Sequence, residues 1–170
     1  NRQVGPCADY SVTTKDLKVY LSSRRQWCFV SSLENILGSN CDRQVLLTFD
    51  DGYRNNLTEA LPVLEEHKIP CLLFLATGFI DGTVYPYEIE LAEVIEQVNT
   101  LSVPGRSEPV EPQSLSKRQS VYRELRLPLK SASRTRRESF MNQLANQNGY
   151  DRSDAQREPL LNWEEVRRLN

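Results

Sequence analysis

Val45-Leu46-Leu47-Thr48-Phe49 runs straight into Asp50-Asp51-Gly52, and this stretch limits the folds open to the chain more than any other. A short, continuous run rich in Val, Leu and Phe with a turn signal at its end reads as a buried strand. Such strands belong to parallel sheets covered by helices. In those sheets chemistry collects at the carboxyl ends of the strands, where Asp50 and Asp51 fall. Two adjacent carboxylates repel, so they need a cation, a donor or water beside them. Because successive strand side chains alternate, one carboxylate can hold a metal while the other faces a water. The plainer reading is a polar turn after a core strand.

The α/β character continues beyond the motif. Asn55 or Asn56 is expected to cap a helix reaching about His67, with Leu57, Ala60, Leu61 and Leu64 on its buried stripe. Pro62 falls inside that pattern, so the helix is expected to restart with Pro62 in its first turn. After Pro70, Cys71–Ala76 reads as the next strand, which makes a right-handed, parallel β-α-β unit. Thr77-Gly78 opens a second loop at the carboxyl end, either an ordinary turn or part of the same mouth as the two aspartates. Upstream, Thr13 or Thr14 caps a helix to about Ser22, Gln26–Val30 is a short strand, and Leu33–Leu37 is a small helix ended by Gly38.

From Pro86 to about residue 150 strand signals vanish. Glu88–Val98 reads as an acidic amphipathic helix, residues 99–113 as a Pro- and Gly-bearing loop, and Arg137–Asn148 as a further helix stopped by Gly149. Charge is uneven: nine basic against sixteen acidic residues up to Gln113, then eight basic against one acidic over 114–137. The basic stretch reads as a solvated face or as a partner of the acidic helix; an anionic glycan, a lipid headgroup or nucleic acid is the alternative. Tyr122 is the stretch's one aromatic residue, which counts against nucleic acid, as does the formal net charge of −2. At the chain's end, Asn162 with Glu165 forms a capping-box pattern ahead of an apolar stripe of Trp163, Val166 and Leu169.

The 170 residues suffice for one domain with a sizeable core. No run approaches the ~18 apolar residues of a membrane span. No basic-then-apolar leader is visible, and the first residue is Asn1 rather than Met, so cytoplasm and cell envelope both stay open. Cys7, Cys28, Cys41 and Cys71 contain no Cys-x-x-Cys pair. Cys28 and Cys71 read as small core residues, while a bridge between Cys7 and Cys41 is left open.

Thr48-Phe49-Asp50-Asp51-Gly52-Tyr53, with Asn56, Ala60–Leu64, Ile69–Leu75 and Thr77–Ile80, together resemble the polysaccharide deacetylase family. This is carbohydrate esterase family four, or the NodB-homology domain. The resemblance is closest over residues 44–82 and returns at Leu161–Leu169. It implies a distorted (β/α) barrel of the seven-stranded type, with residues 1–170 as a single partial domain. A helical insertion, at about 86–150, comes after the third predicted strand. It implies a metal-dependent hydrolase that removes N- or O-acetyl groups from a carbohydrate polymer, with Asp50 as general base and Asp51 as metal ligand. Tyr53, Arg54 and Asn56 are their neighbours and candidate substrate contacts, or builders of the turn and helix cap. The family's metal is a zinc-type divalent cation, completed by a His-x-x-x-His pair. This chain has His67 alone, predicted at the far end of the β-α-β unit, so the chain by itself is not expected to hold the metal or catalyse.

The expectation is therefore an N-terminal part of a longer deacetylase acting on an acetylated polysaccharide or oligosaccharide. The alternative is a non-catalytic, deacetylase-like module that binds a glycan or a partner. Three strands would leave the barrel open, and its exposed apolar faces predict self-association. An aspartate-nucleophile phosphatase fits less well, because its two acids are separated by one intervening residue, whereas Asp50 and Asp51 are adjacent.

Overall fold

The computed structural model describes residues 12–24, 26–38, 42–154 and 159–169. The chain divides into two compact units. The described part of one is residues 12–84 with 159–169; that of the other is 85–154. The fold class is α/β, as expected, and no closed barrel forms among the described residues.

In the first unit, Thr13 caps α1 (Thr14–Ser22) through a reciprocal capping box with Asp16. Strand β1 (Cys28–Phe29) precedes α2 (Leu33–Gly38), which takes in the glycine expected to end it. The single strand expected from Val45 is in fact two. β2 (Gln44–Val45) pairs in parallel with β1, the chain steps at Leu46, and β3 (Leu47–Asp51) pairs in parallel with β4 (Cys71–Leu75).

The connection from β3 to β4 starts as a π-helical turn, Asn56–Ala60, and continues as α3 (Leu61–His67). Pro62 sits in the first turn of α3, where its missing N–H costs no hydrogen bond. Asn55 takes the cap position without a side-chain bond; the amides of Asn56 and Leu57 bond to the Tyr53 and Arg54 carbonyls instead.

Leu21, Val63 and Leu64 form the core of this unit, with Leu47, Phe49 and Cys71 packed on it. Helices thus cover one face of the β3–β4 pair. Thr48 and Asp50 alternate away from that core and are exposed, as is Phe74, directly opposite Asp50 in register. The expectation of a strand buried on both faces is corrected accordingly.

Cys28 is disulfide-bonded rather than a free core thiol. Cys7 and Cys41 lie outside the described residues. Cys71 is free, and burial pushes its thiol pKa up. After β4, the expected turn at Thr77-Gly78 is a short helix, α4 (Thr77–Ile80).

The second unit is helical: α5 (Tyr87–Gln97), α6 (Leu115–Ser131) and α7 (Arg134–Gln147), then a 3-10 turn at Arg152–Asp154. Leu91, Ile95, Leu101, Tyr122, Met141 and Leu144 make its core. Ser114 and Ser133 cap α6 and α7, so α7 begins three residues before the predicted start. Between α5 and α6 the loop closes on itself through paired Leu101 and Val110 backbones.

The acids of α5 do not all face water. Glu90 is 2% exposed and accepts from Arg152, which also binds Glu138 at 3.1 Å. Glu93 accepts from the Tyr150 hydroxyl at 2.5 Å and the Tyr85 hydroxyl at 3.0 Å. Within the basic stretch, Arg137 lies over the Tyr87 ring at 4.6 Å, and Arg118 donates to the Pro112 carbonyl.

Candidate functional site

Asp50 and Asp51 are the last two residues of β3, opposite Phe74 and Leu75 of β4. The Asp51 backbone is left-handed at φ 70°, and Gly52 comes next at φ 85°. Asp accepts that conformation more readily than most residues, and Gly accepts it without strain. Alternation therefore breaks at Asp51, and both carboxylates are exposed. Gly52 is buried: a Cβ there would stand 3.1 Å from Leu75 Cδ2 and 3.6 Å from Ile80 Cδ1. The turn is thus seated on the end of β4 and on α4, and the Ala76 amide donates to the Asp51 carbonyl at 3.4 Å.

The segment 159–169 returns across this turn. The Leu161 amide donates to the Gly52 carbonyl at 2.9 Å, the Arg54 amide to the Pro159 carbonyl at 2.7 Å, and Tyr53 pairs antiparallel with Leu160. Leu160 and Leu161 are both buried and hold the segment down. The predicted capping box of Asn162 and Glu165 is present and starts α8 (Trp163–Arg167). Glu165 also forms an ion pair with Arg54 at 3.0 Å. Trp163 is not part of a buried stripe: it is 40% exposed, and its indole Nε1 donates to Asp81 Oδ1 at 2.7 Å.

Of the residues singled out from the sequence, Asp50, Asp51, Tyr53 and Arg54 come together at the carboxyl end of β3. Asn56 serves the turn: its amide bonds to the Tyr53 carbonyl at 3.0 Å. His67 ends α3, next to the chain's return to the start of β4, and so lies at the other end of the strands from Asp51. Sequence reasoning missed the Arg54–Glu165 and Trp163–Asp81 pairs. Its available signal was the apolar Leu160-Leu161 pair just ahead of the capping box.

The donor set does not fit a catalytic zinc. A catalytic zinc site takes three protein ligands and keeps a position open for water. Among the described residues, no group of three or more His, Cys, Asp or Glu stands close enough to hold a metal ion.

These features define an α/β domain with an acidic pair at the carboxyl end of two parallel strands. Residues 38–106, under half of the chain, match the family model for polysaccharide deacetylase. The segment that carries Asp50 and Asp51 is thus similar to the polysaccharide deacetylase family, consistent with a partial NodB-type domain. The match supports a carbohydrate deacetylase-like hydrolase as the coarse function. Among curated proteins and among solved structures, nothing matches the chain. No helix among the described residues is long and apolar enough to cross a membrane.

Proposed function

We propose that this chain is the N-terminal part of a hydrolase that removes N- or O-acetyl groups from a carbohydrate polymer. The observation that carries the reading is the Asp50-Asp51-Gly52 turn, exposed at the carboxyl end of a parallel strand pair inside the family-matched segment. Asp50 is the general base in this proposal: it takes a proton from the attacking water, whose oxygen adds to the acetyl carbonyl carbon. As the carbon–nitrogen or carbon–oxygen bond breaks, the proton taken from the water passes on to the departing nitrogen or oxygen, leaving acetate and the freed sugar amine or hydroxyl. Arg54, fixed by Glu165, and Tyr53 border the turn and are candidate substrate contacts.

Asp51 is proposed as a donor to a divalent cation, zinc in the family resemblance. The cation belongs to this reading only for a longer protein that brings further ligands, within a more complete barrel. The test is acetate release from acetylated oligosaccharides by the full-length gene product, with and without the Asp50 carboxylate. Loss of release in Asp50→Asn supports the reading, and unchanged release contradicts it. Glycan binding without any acetate release would favour the non-catalytic module.

A further inference from the structure

We infer that Trp163, anchored by Asp81, is a stacking platform for a sugar ring of the polymer chain beside Asp50 and Asp51. The inference rests on the polysaccharide reading above. Nε1 is the only polar atom of an indole, and here it is already bonded, at 2.7 Å, to Asp81 Oδ1. Trp163 is 40% exposed, and with Nε1 bonded the indole offers a ligand mainly its carbon faces. An aromatic surface fixed next to a carboxylate suits a pyranose, which offers carbon–hydrogen bonds on its faces and hydroxyls around its rim. Binding sites in general combine aromatic walls with a few placed polar groups.

Placement ties this ring to the aspartates. Trp163 comes two residues after Leu161, and the Leu161 amide is bonded to the Gly52 carbonyl at 2.9 Å. Its anchor, Asp81, closes α4, and α4 starts directly after Ala76, whose amide reaches the Asp51 carbonyl at 3.4 Å. Both the ring and its anchor thus hang from the same turn as the acidic pair. The ring is also held in advance. Asn162 and Glu165 cap its helix reciprocally, each bond at 2.9 Å, and Arg54 clamps Glu165 at 3.0 Å. A group ordered before binding loses little entropy when the ligand arrives.

A purely structural role for Trp163, pinning α8 to α4, makes a different forecast from stacking. Neither Trp163→Phe nor Trp163→Leu can bond Asp81, so a pinning role predicts that the two behave alike. Stacking predicts that they separate, since only Phe keeps a ring. The experiment is calorimetric titration of the 170-residue chain with N-acetylchitopentaose and with acetylated xylopentaose. The wild type should bind at least one probe saturably. Trp163→Phe should bind it within about threefold, and Trp163→Leu about tenfold or more weaker. Should the Leu variant fail to fold, Trp163→Met carries the same comparison.

Absence of binding to both probes, or equal affinities for the Phe and Leu variants, overturns the inference. Its failure is distinguishable from failure of the catalytic reading. A Phe–Leu difference with acetate release indifferent to Asp50→Asn keeps the platform and removes the catalysis. Equal Phe and Leu affinities with acetate release lost in Asp50→Asn do the reverse.

Discussion

Gly52 fixes where the two aspartates stand. Its φ of 85° suits glycine, and its missing side chain lets the turn sit on Leu75 and Ile80. A left-handed backbone costs other residues about 1–2 kcal/mol, and the 3.1 Å approach of Leu75 Cδ2 adds crowding. Gly52→Ala should therefore destabilise the protein by about 2 kcal/mol in urea denaturation. An effect within about 0.5 kcal/mol, ordinary for a surface site, would mean that the turn relaxes freely. The glycine's place at the end of an apolar run was legible in the sequence, because turn chemistry is local. The left-handed Asp51 was not, since that conformation depends on how the turn meets β4 and α4.

At the scale of elements, the helical unit places its acids where periodicity cannot see them. The sequence marks α5 as amphipathic from its apolar positions, and those positions are buried as expected. Glu90 and Glu93 are buried beside them because Arg152, Tyr85 and Tyr150 supply partners distant in sequence or on another segment. Burial pushes both Glu90 and the Tyr150 phenol up, and the Arg152 guanidinium pulls Glu90 partly back; Glu138 and Glu93 push it up further.

A carboxyl whose folded-state pKa is raised binds its proton more tightly when folded. Its contribution to stability is thus full below the ordinary Glu value and is lost as pH rises through the raised one. Glu90→Gln should remove this share of the pH dependence, measured as melting temperature across the weakly acidic range; an unchanged profile would rule Glu90 out as its source. Arg152→Met should cost about 3 kcal/mol at neutral pH, because it strands a buried carboxylate, and clearly less once Glu90 is protonated. Equal losses at both pH values would contradict that.

For the whole molecule, the sequence disclosed the order of elements better than their pairing. The helix cap at Thr13, the capping box at Asn162, the Pro62 restart and the parallel β-α-β unit all stem from local chemistry and short-range topology. The split at Leu46 did not, because a continuous apolar run carries no mark of which strand each residue will pair with. Nor was the open sheet face visible in the strand itself. Phe74 is 55% exposed there, opposite Asp50. An exposed aromatic side chain on an uncovered sheet face favours association. Sedimentation velocity should show self-association of the chain that rises with concentration and falls in Phe74→Ser. Identical profiles for the two proteins would assign any association to another surface.

The central claim is that Asp50 performs base catalysis in the removal of acetyl groups from a carbohydrate. The most direct measurement is acetate released from acetylated oligosaccharides by the full-length gene product, wild type against Asp50→Asn. Loss of a positioned general base costs about 100-fold or more, so release should fall by at least that much while the variant keeps its melting temperature. Equal release by the two proteins would contradict the account.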